Sequence, residues 1–255
     1  MRSLAGVEFS SYTDSVSQAL DAVDARARFR RASAVLIKPN LVTTSAHPVT
    51  TASQCCAALI TYIRSCSHAD IVIGEGTGDP TCQTRDVFDL LGYGKLSSQY
   101  GVGLVDLNEA PVRRLTNTHC RLFPEIYLPE IVFTHYVVSV PVLKAHTLAG
   151  MTGTLKNMVG LAPPAYYRRG SGGWKKSFFH TEIHRAIKEL NSYRTSDLSL
   201  VDASVGLADF HLGGRRCEPP VGKILAGSDP VAVDRMGAEL LGLDWESIPY
   251  LQGTR

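Results

Sequence analysis

No Cys-x-x-Cys pair occurs among the six cysteines, Cys55, Cys56, Cys66, Cys82, Cys120 and Cys217. That absence argues against a local zinc knuckle or a ferredoxin-type cluster. Cys55, Cys56 and Cys66 share a helical pattern with Leu59, Ile60 and Ile63, and read as small core residues in a reducing compartment. No run of 18 apolar residues exists, so no membrane-spanning helix is expected. The N-terminal Met1-Arg2-Ser3-Leu4-Ala5-Gly6-Val7-Glu8 lacks the apolar core of a signal peptide. Charge of one sign is also scarce. Lys and Arg number 26 against 24 Asp and Glu, a net charge of +2, which gives no global electrostatic case for nucleic acid. The expectation is a soluble, cytoplasmic protein without a membrane or nucleic-acid partner.

Several catalytic and nucleotide motifs are missing too. Gly74-Glu75-Gly76-Thr77-Gly78 can present backbone N–H groups to an anion. It is neither a dinucleotide fingerprint nor a P-loop, and Glu75 would repel a phosphate. There is no Gly-x-Ser-x-Gly elbow. His180-Thr-Glu-Ile-His184 places Thr181 where a zinc protease needs Glu. Its two imidazoles, one helical turn apart, still leave metal binding open, with the metal unknown.

At 255 residues and 44% hydrophobic, the chain can bury a large core. Apolar β runs at Ser33–Ile37, Asp70–Gly74, Gly103–Asp106, Tyr136–Leu143, Leu198–Val201 and Lys223–Ala226 alternate with helical stripes. Thr50 to Cys66 is one such stripe, with Thr50, Thr51 and Ser53 available as caps. Arg85 to Leu91 is another, and Asp229, Pro230 and Gly242 mark the start and stop of the last helix. The alternation predicts an α/β fold: a mostly parallel or mixed sheet with helices on both faces, in an open three-layer arrangement. A single unit over residues 1–255 is expected, with an irregular excursion or small subdomain at 107–133 and a mobile loop at 161–179.

Polar residues gather where strands end. Lys38 and Asn40 follow the first run, Glu75 the second, Asp106 and Asn108 the third, Lys144 and His146 the fourth, and Asp202 and Ser204 the fifth. In a mostly parallel sheet these ends share one side and converge on one cleft, although strand ends are polar in general. Lys156-Asn157 adds a second Lys beside an amide. Lys, His, Asn and Thr together favour an anion, which Lys holds as a point charge; a desolvated Lys could also serve as base or Schiff-base former. Lys144, His146 and Lys156 are the catalytic candidates. Lys38, Asn40, Glu75, Asn157, His180 and Asp202 are the substrate-binding candidates. Lys175 and Lys176 read as ordinary solvated lysines, although the 161–179 segment, with four cations and five aromatics, suits a lid over an anion or a single-stranded nucleic-acid contact.

Val35-Leu-Ile-Lys38-Pro39-Asn40, the Glu75 turn, Val105-Asp106-Leu107-Asn108 and Val-Pro141-Val-Leu-Lys144-Ala-His146 occur in that order. They are followed by Thr154-Leu-Lys156-Asn157-Met-Val-Gly160, Val201-Asp202-Ala and Gly227-Ser-Asp229-Pro230-Val-Ala-Val-Asp234. The ordered set resembles the domain of unknown function 362 family, DUF362, over nearly the whole chain. The resemblance implies an α/β domain, sometimes found beside ferredoxin-like modules. Because this chain lacks a cluster-binding cysteine run, no built-in iron–sulfur cluster is expected; other cofactors are unknown. The chain ends soon after its final helix, as either a short or a truncated form would. Two functions fit: an enzyme acting on a small anionic metabolite, or an anion- or metal-binding accessory or maturation protein for an iron–sulfur or redox partner.

Overall fold

A computed structural model describes residues 3–170 and 173–252. Ser171 and Gly172 of the expected 161–179 loop lie outside the described residues, as do Met1, Arg2 and residues 253–255 at the ends. The chain opens with β1 (Leu4–Glu8), α1 (Tyr12–Ala22), α2 (Ala25–Phe29), β2 (Ala34–Pro39), α3 (Ser53–Arg64) and β3 (Asp70–Glu75). There follow α4 (Thr84–Leu90), α5 (Tyr93–Tyr100), β4 (Gly103–Asp106), β5 (Val112–Thr116) and β6 (Glu125–Pro129). The middle holds β7 (Tyr136–Val140), β8 (Val142–His146), β9 (Gly150–Thr152), α6 (Thr154–Asn157) and α7 (Pro164–Tyr167). The chain closes with α8 (Ile183–Tyr193), β10 (Leu198–Leu207), β11 (Lys223–Gly227) and α9 (Pro230–Leu240).

The period of two along a strand divides the core. Val35 and Ile37 of β2 join an apolar cluster with side chains of α1 through α5, while Leu36 joins a second cluster with α6, α8 and α9. The sheet therefore carries helices on both faces, in three layers. Its main order is β1-β11-β10-β7-β2-β3-β4. β10, β7, β2, β3 and β4 are parallel to their neighbours in that run, and β11 and β1 pair antiparallel at one edge. Within 107–133, β5 and β6 form a separate antiparallel pair. No helix among the described residues is long and apolar enough to cross a membrane.

Topology fixes where the site lies. From β2 the chain steps outward to β3 and β4, then returns to β7 on the other side of β2. The crevice beyond the carboxyl ends of β2 and β7 is thus a topological switch point. The expected fourth strand, 136–143, is in fact two. β7 follows β2 up to the Pro39–Val140 pair, and β8 then turns to pair with β10 and β9. Pro141, with no N–H to donate, marks the break. β10 is correspondingly long. Asp202 and Ser204 lie inside it rather than beyond its end, because β8 gives its second half a partner.

Of the two helix starts read from capping residues, one forms as expected and one does not. Asp229 caps α9 as expected, accepting from the amides of Val231 and Ala232. At α3, by contrast, the N-cap is Ala52, without a side-chain cap, and Ser53 is the first helical residue. The Thr50 hydroxyl donates to Ser45 O and the Thr51 hydroxyl to Val140 O instead. They tie the 41–50 loop and the sheet together.

Candidate functional site

A cavity of about 270 Å3 opens at the switch point, walled by Asn40, Glu75, His146, Lys156, Asn157 and His180, together with Trp174, Lys176, Phe210 and His211. Of the nine residues singled out by sequence, six line it and three do not: Lys38, Lys144 and Asp202.

Lys38 lies under the floor, fully buried and ion-paired with Glu75. Its ammonium also donates to Pro39 O at 3.2 Å and to Asn157 Oδ1 at 3.3 Å. Burial drives the lysine down and the carboxyl up; their attraction opposes both shifts. Glu75 is thus answered by a cation and does not oppose an entering anion. The Asn157 amide donates to Lys38 O and Ser139 Oγ, both at 3.0 Å. Gly160 must be glycine here, since a Cβ would fall 2.4 Å from Lys38 Nζ.

Lys144 is 1% exposed and spends its hydrogen bonds on Asn40 Oδ1 (2.9 Å) and Val49 O (2.6 Å). It orients Asn40 from behind. Burial, and secondarily Lys156, lower it to about 7. Asp202 lies on the face shared by Leu200 and α1, where it accepts from the Tyr12 hydroxyl at 2.7 Å and pairs with His47 at 3.2 Å. Burial raises its carboxyl, but the bonds from His47, Ser204 and Tyr12 prevail and hold it below the usual range. Strand alternation turns it away from the cavity. Asp106 is similarly engaged elsewhere, accepting from Thr84.

Lys156 differs from the other lysines around the site. It is half-buried in the cavity wall, and its amine has no hydrogen-bond or ion-pair partner among the described residues. Desolvation lowers it to about 8. The short α6 that carries it is held by Asp234, whose carboxylate accepts from the amides of Thr154 (2.6 Å) and Leu155 (2.9 Å). A Cβ on Gly153 would sit 2.3 Å from that carboxylate, so the approach requires glycine. Burial pushes Asp234 up to about 7 despite these bonds.

His146 Nδ1 accepts from the amides of Leu148 and Ala149, each at 3.1 Å. Neutral His146 must then carry its proton on Nε2. Burial lowers its basicity far below normal, helped by Lys156, His211 and His180. Its ring stacks on His211 with centroids 3.8 Å apart. His211 is lowered to about 3, and His180 is lowered too, by burial first and Lys156 next. Three neutral imidazoles therefore surround one titratable amine.

The segment covering the cavity corrects the reading of Lys175 and Lys176 as solvated. Both are buried. Lys175 reaches Cys82 O and Gln83; Lys176 reaches Asn108 Oδ1 (2.7 Å), Gly160 O (3.2 Å) and Ala162 O. Loop carbonyls far away in sequence draw them in, with half-exposed Trp174 beside them at the rim. The helical imidazole pair is not formed either. His180 ends a 3-10 turn, and α8 starts at Ile183. Among the described residues no group of three or more His, Cys, Asp or Glu is placed to hold a metal ion. Phe210 and His211 went unnoticed in sequence; their only signal is a position just after β10, before the Gly213-Gly214 turn.

An open α/β sheet with a cavity at its switch point defines the class. The chain belongs to the DUF362 family, a domain of unknown function whose profile matches residues 35–239. No protein of curated function matches. Among solved structures it is similar to the lactate racemase apoprotein from Thermoanaerobacterium thermosaccharolyticum, with 13% identity and a TM-score of 0.57. It is also similar to a protein from Thermotoga maritima, with 10% identity and a TM-score of 0.52. The alignments cover 91% and 93% of this chain but only 55% and 60% of those proteins. At these identities the likeness is one of fold.

Proposed function

We propose that this protein is an enzyme acting on a small anionic metabolite, held in the cavity at the switch point by the Lys156 ammonium. One observation carries the reading: Lys156 is an unpartnered amine in the cavity wall, while Lys38, Lys144, Lys175 and Lys176 are all engaged by protein acceptors. At neutral pH the imidazoles are uncharged, so Lys156 is the free positive charge that an anion meets. His146 presents Nε2–H as a fixed donor, and the Asn40 amide adds another. Asn157 and the Lys38–Glu75 pair serve as the floor that keeps these groups in place. Trp174 and Phe210 exclude water at the rim. With its value near 8, Lys156 also exchanges protons readily near neutrality, as a general acid or base requires.

Oxalate serves as a probe anion in calorimetric titration. Wild type should bind with an affinity that falls about tenfold per pH unit above pH 8, as Lys156 loses its proton. Lys156→Met should abolish binding while changing stability by no more than about 0.5 kcal/mol. Unaltered oxalate affinity in that variant would refute the reading. Retention of a co-purified metabolite without turnover would favour a binding or maturation protein instead.

A further inference from the structure

The geometry points to a covalent role for Lys156: its amine forms a Schiff base with the carbonyl carbon of a small 2-oxo carboxylate. This rests on the proposed anion site and names its substrate class. An amine that is to attack carbon must have its lone pair free and its approach unobstructed. Among the lysines of the site, only Lys156 meets both conditions. Lys38 is locked by Glu75, Lys144 by Val49 O and Asn40, and Lys176 by Asn108, Gly160 O and Ala162 O. Lys156 faces open cavity volume, and Asp234 fixes the helix turn that presents it.

The surroundings also suit the steps that follow. A value near 8 leaves roughly a tenth of the amine unprotonated at pH 7, against about 0.04% for an ordinary lysine. The nitrogen lone pair attacks the carbonyl carbon as the C=O π pair moves to oxygen, which takes up the proton released by nitrogen. The resulting carbinolamine hydroxyl accepts a second proton, taken from solvent, and leaves as water while the C=N bond forms. No electrons are gained or lost. His146, held as the Nε2–H tautomer by its two amide donors, is suited to hydrogen-bond the carbonyl oxygen during the attack. The iminium keeps a positive charge where the ammonium was, so the attraction for the carboxylate survives the covalent step. The carboxylate selects the substrate and the carbonyl reacts. A volume of about 270 Å3 admits only a small molecule.

The test is reductive trapping of the full-length protein with pyruvate or glyoxylate and sodium cyanoborohydride at pH 7, followed by peptide mass spectrometry. Lys156 should be modified at least tenfold faster than exposed Lys95, and oxalate should suppress the reaction at Lys156 alone. Lys156→Met should lack the fast, oxalate-suppressed phase of labelling, while Lys95 reacts as in the wild type. Modification of Lys156 no faster than Lys95, in a protein that binds oxalate, would overturn the Schiff-base inference and leave the anion site standing. Loss of oxalate binding in the wild type would overturn both.

Discussion

Replacing Glu75 by Gln removes the charge that answers Lys38 while preserving shape and one acceptor. Lys38 has 0% exposure, so water cannot take over, and its remaining acceptors are the neutral Pro39 O and Asn157 Oδ1. Breaking a buried pair in this way costs about 3–5 kcal/mol, which for a chain of this size lowers Tm by about 6–20 °C. The loss should depend on pH with a definite sign. Burial already lowers Lys38, and without Glu75 it falls further. Between that lowered native value and the unfolded value of about 10.4, the unfolded chain binds a proton that the native chain does not. Stability of Glu75→Gln should therefore rise with pH relative to wild type, by up to about 1.4 kcal/mol per unit. Urea denaturation at pH 7 and pH 9 measures both effects. The apolar double variant Lys38→Met with Glu75→Leu should recover most of the loss. A loss below about 1 kcal/mol, independent of pH, would show the pair to be solvent-screened and refute the argument.

Lys144→Met leaves Val49 O and Asn40 Oδ1 without their donor, and should cost about 1–3 kcal/mol in urea denaturation. The near-neutral stability of Lys156→Met is the matched control. Asp234→Asn should alter a pH profile: the wild-type carboxyl, raised to about 7, stabilises the native state below about pH 4 and loses that contribution as pH rises through 7. The variant cannot titrate, so its urea midpoint should vary less between pH 4 and 8 than that of wild type.

The elements legible in the sequence were those with local causes. Asp229, Pro230 and Gly242 set the bounds of α9 through backbone chemistry within a few residues. The β2 and β3 runs announced themselves by apolar period, and the ordered motifs placed the chain in its family. What was missed depends on partners distant in sequence. Lys175 and Lys176 resemble any loop lysines until the carbonyls of residues 82, 160 and 162 are seen around them. Lys144 occupies a strand end as read, but the 41–50 loop folds behind it and takes its amine. Asp202 reads as terminal because the apolar run 198–201 stops before it, and β8, which extends the pairing of β10, is distant in sequence. His180 and His184 fit one helical turn on paper, yet α8 begins between them. His211 sits in no motif and is recognised only by its ring against His146.

The segment from Gly153 to Gly160 is clamped at both ends, by Asp234 against the first glycine and by the Lys38–Glu75 pair against the second. Those clamps fix the number of residues between them. One inserted residue before Lys156 would rotate the following side chains by about 100° and advance them by about 1.5 Å. That would carry the amine off the cavity even if every contact at the two glycines were restored. Such a stretch does not tolerate a change in length. The spacing is therefore as much a component of the site as the lysine itself.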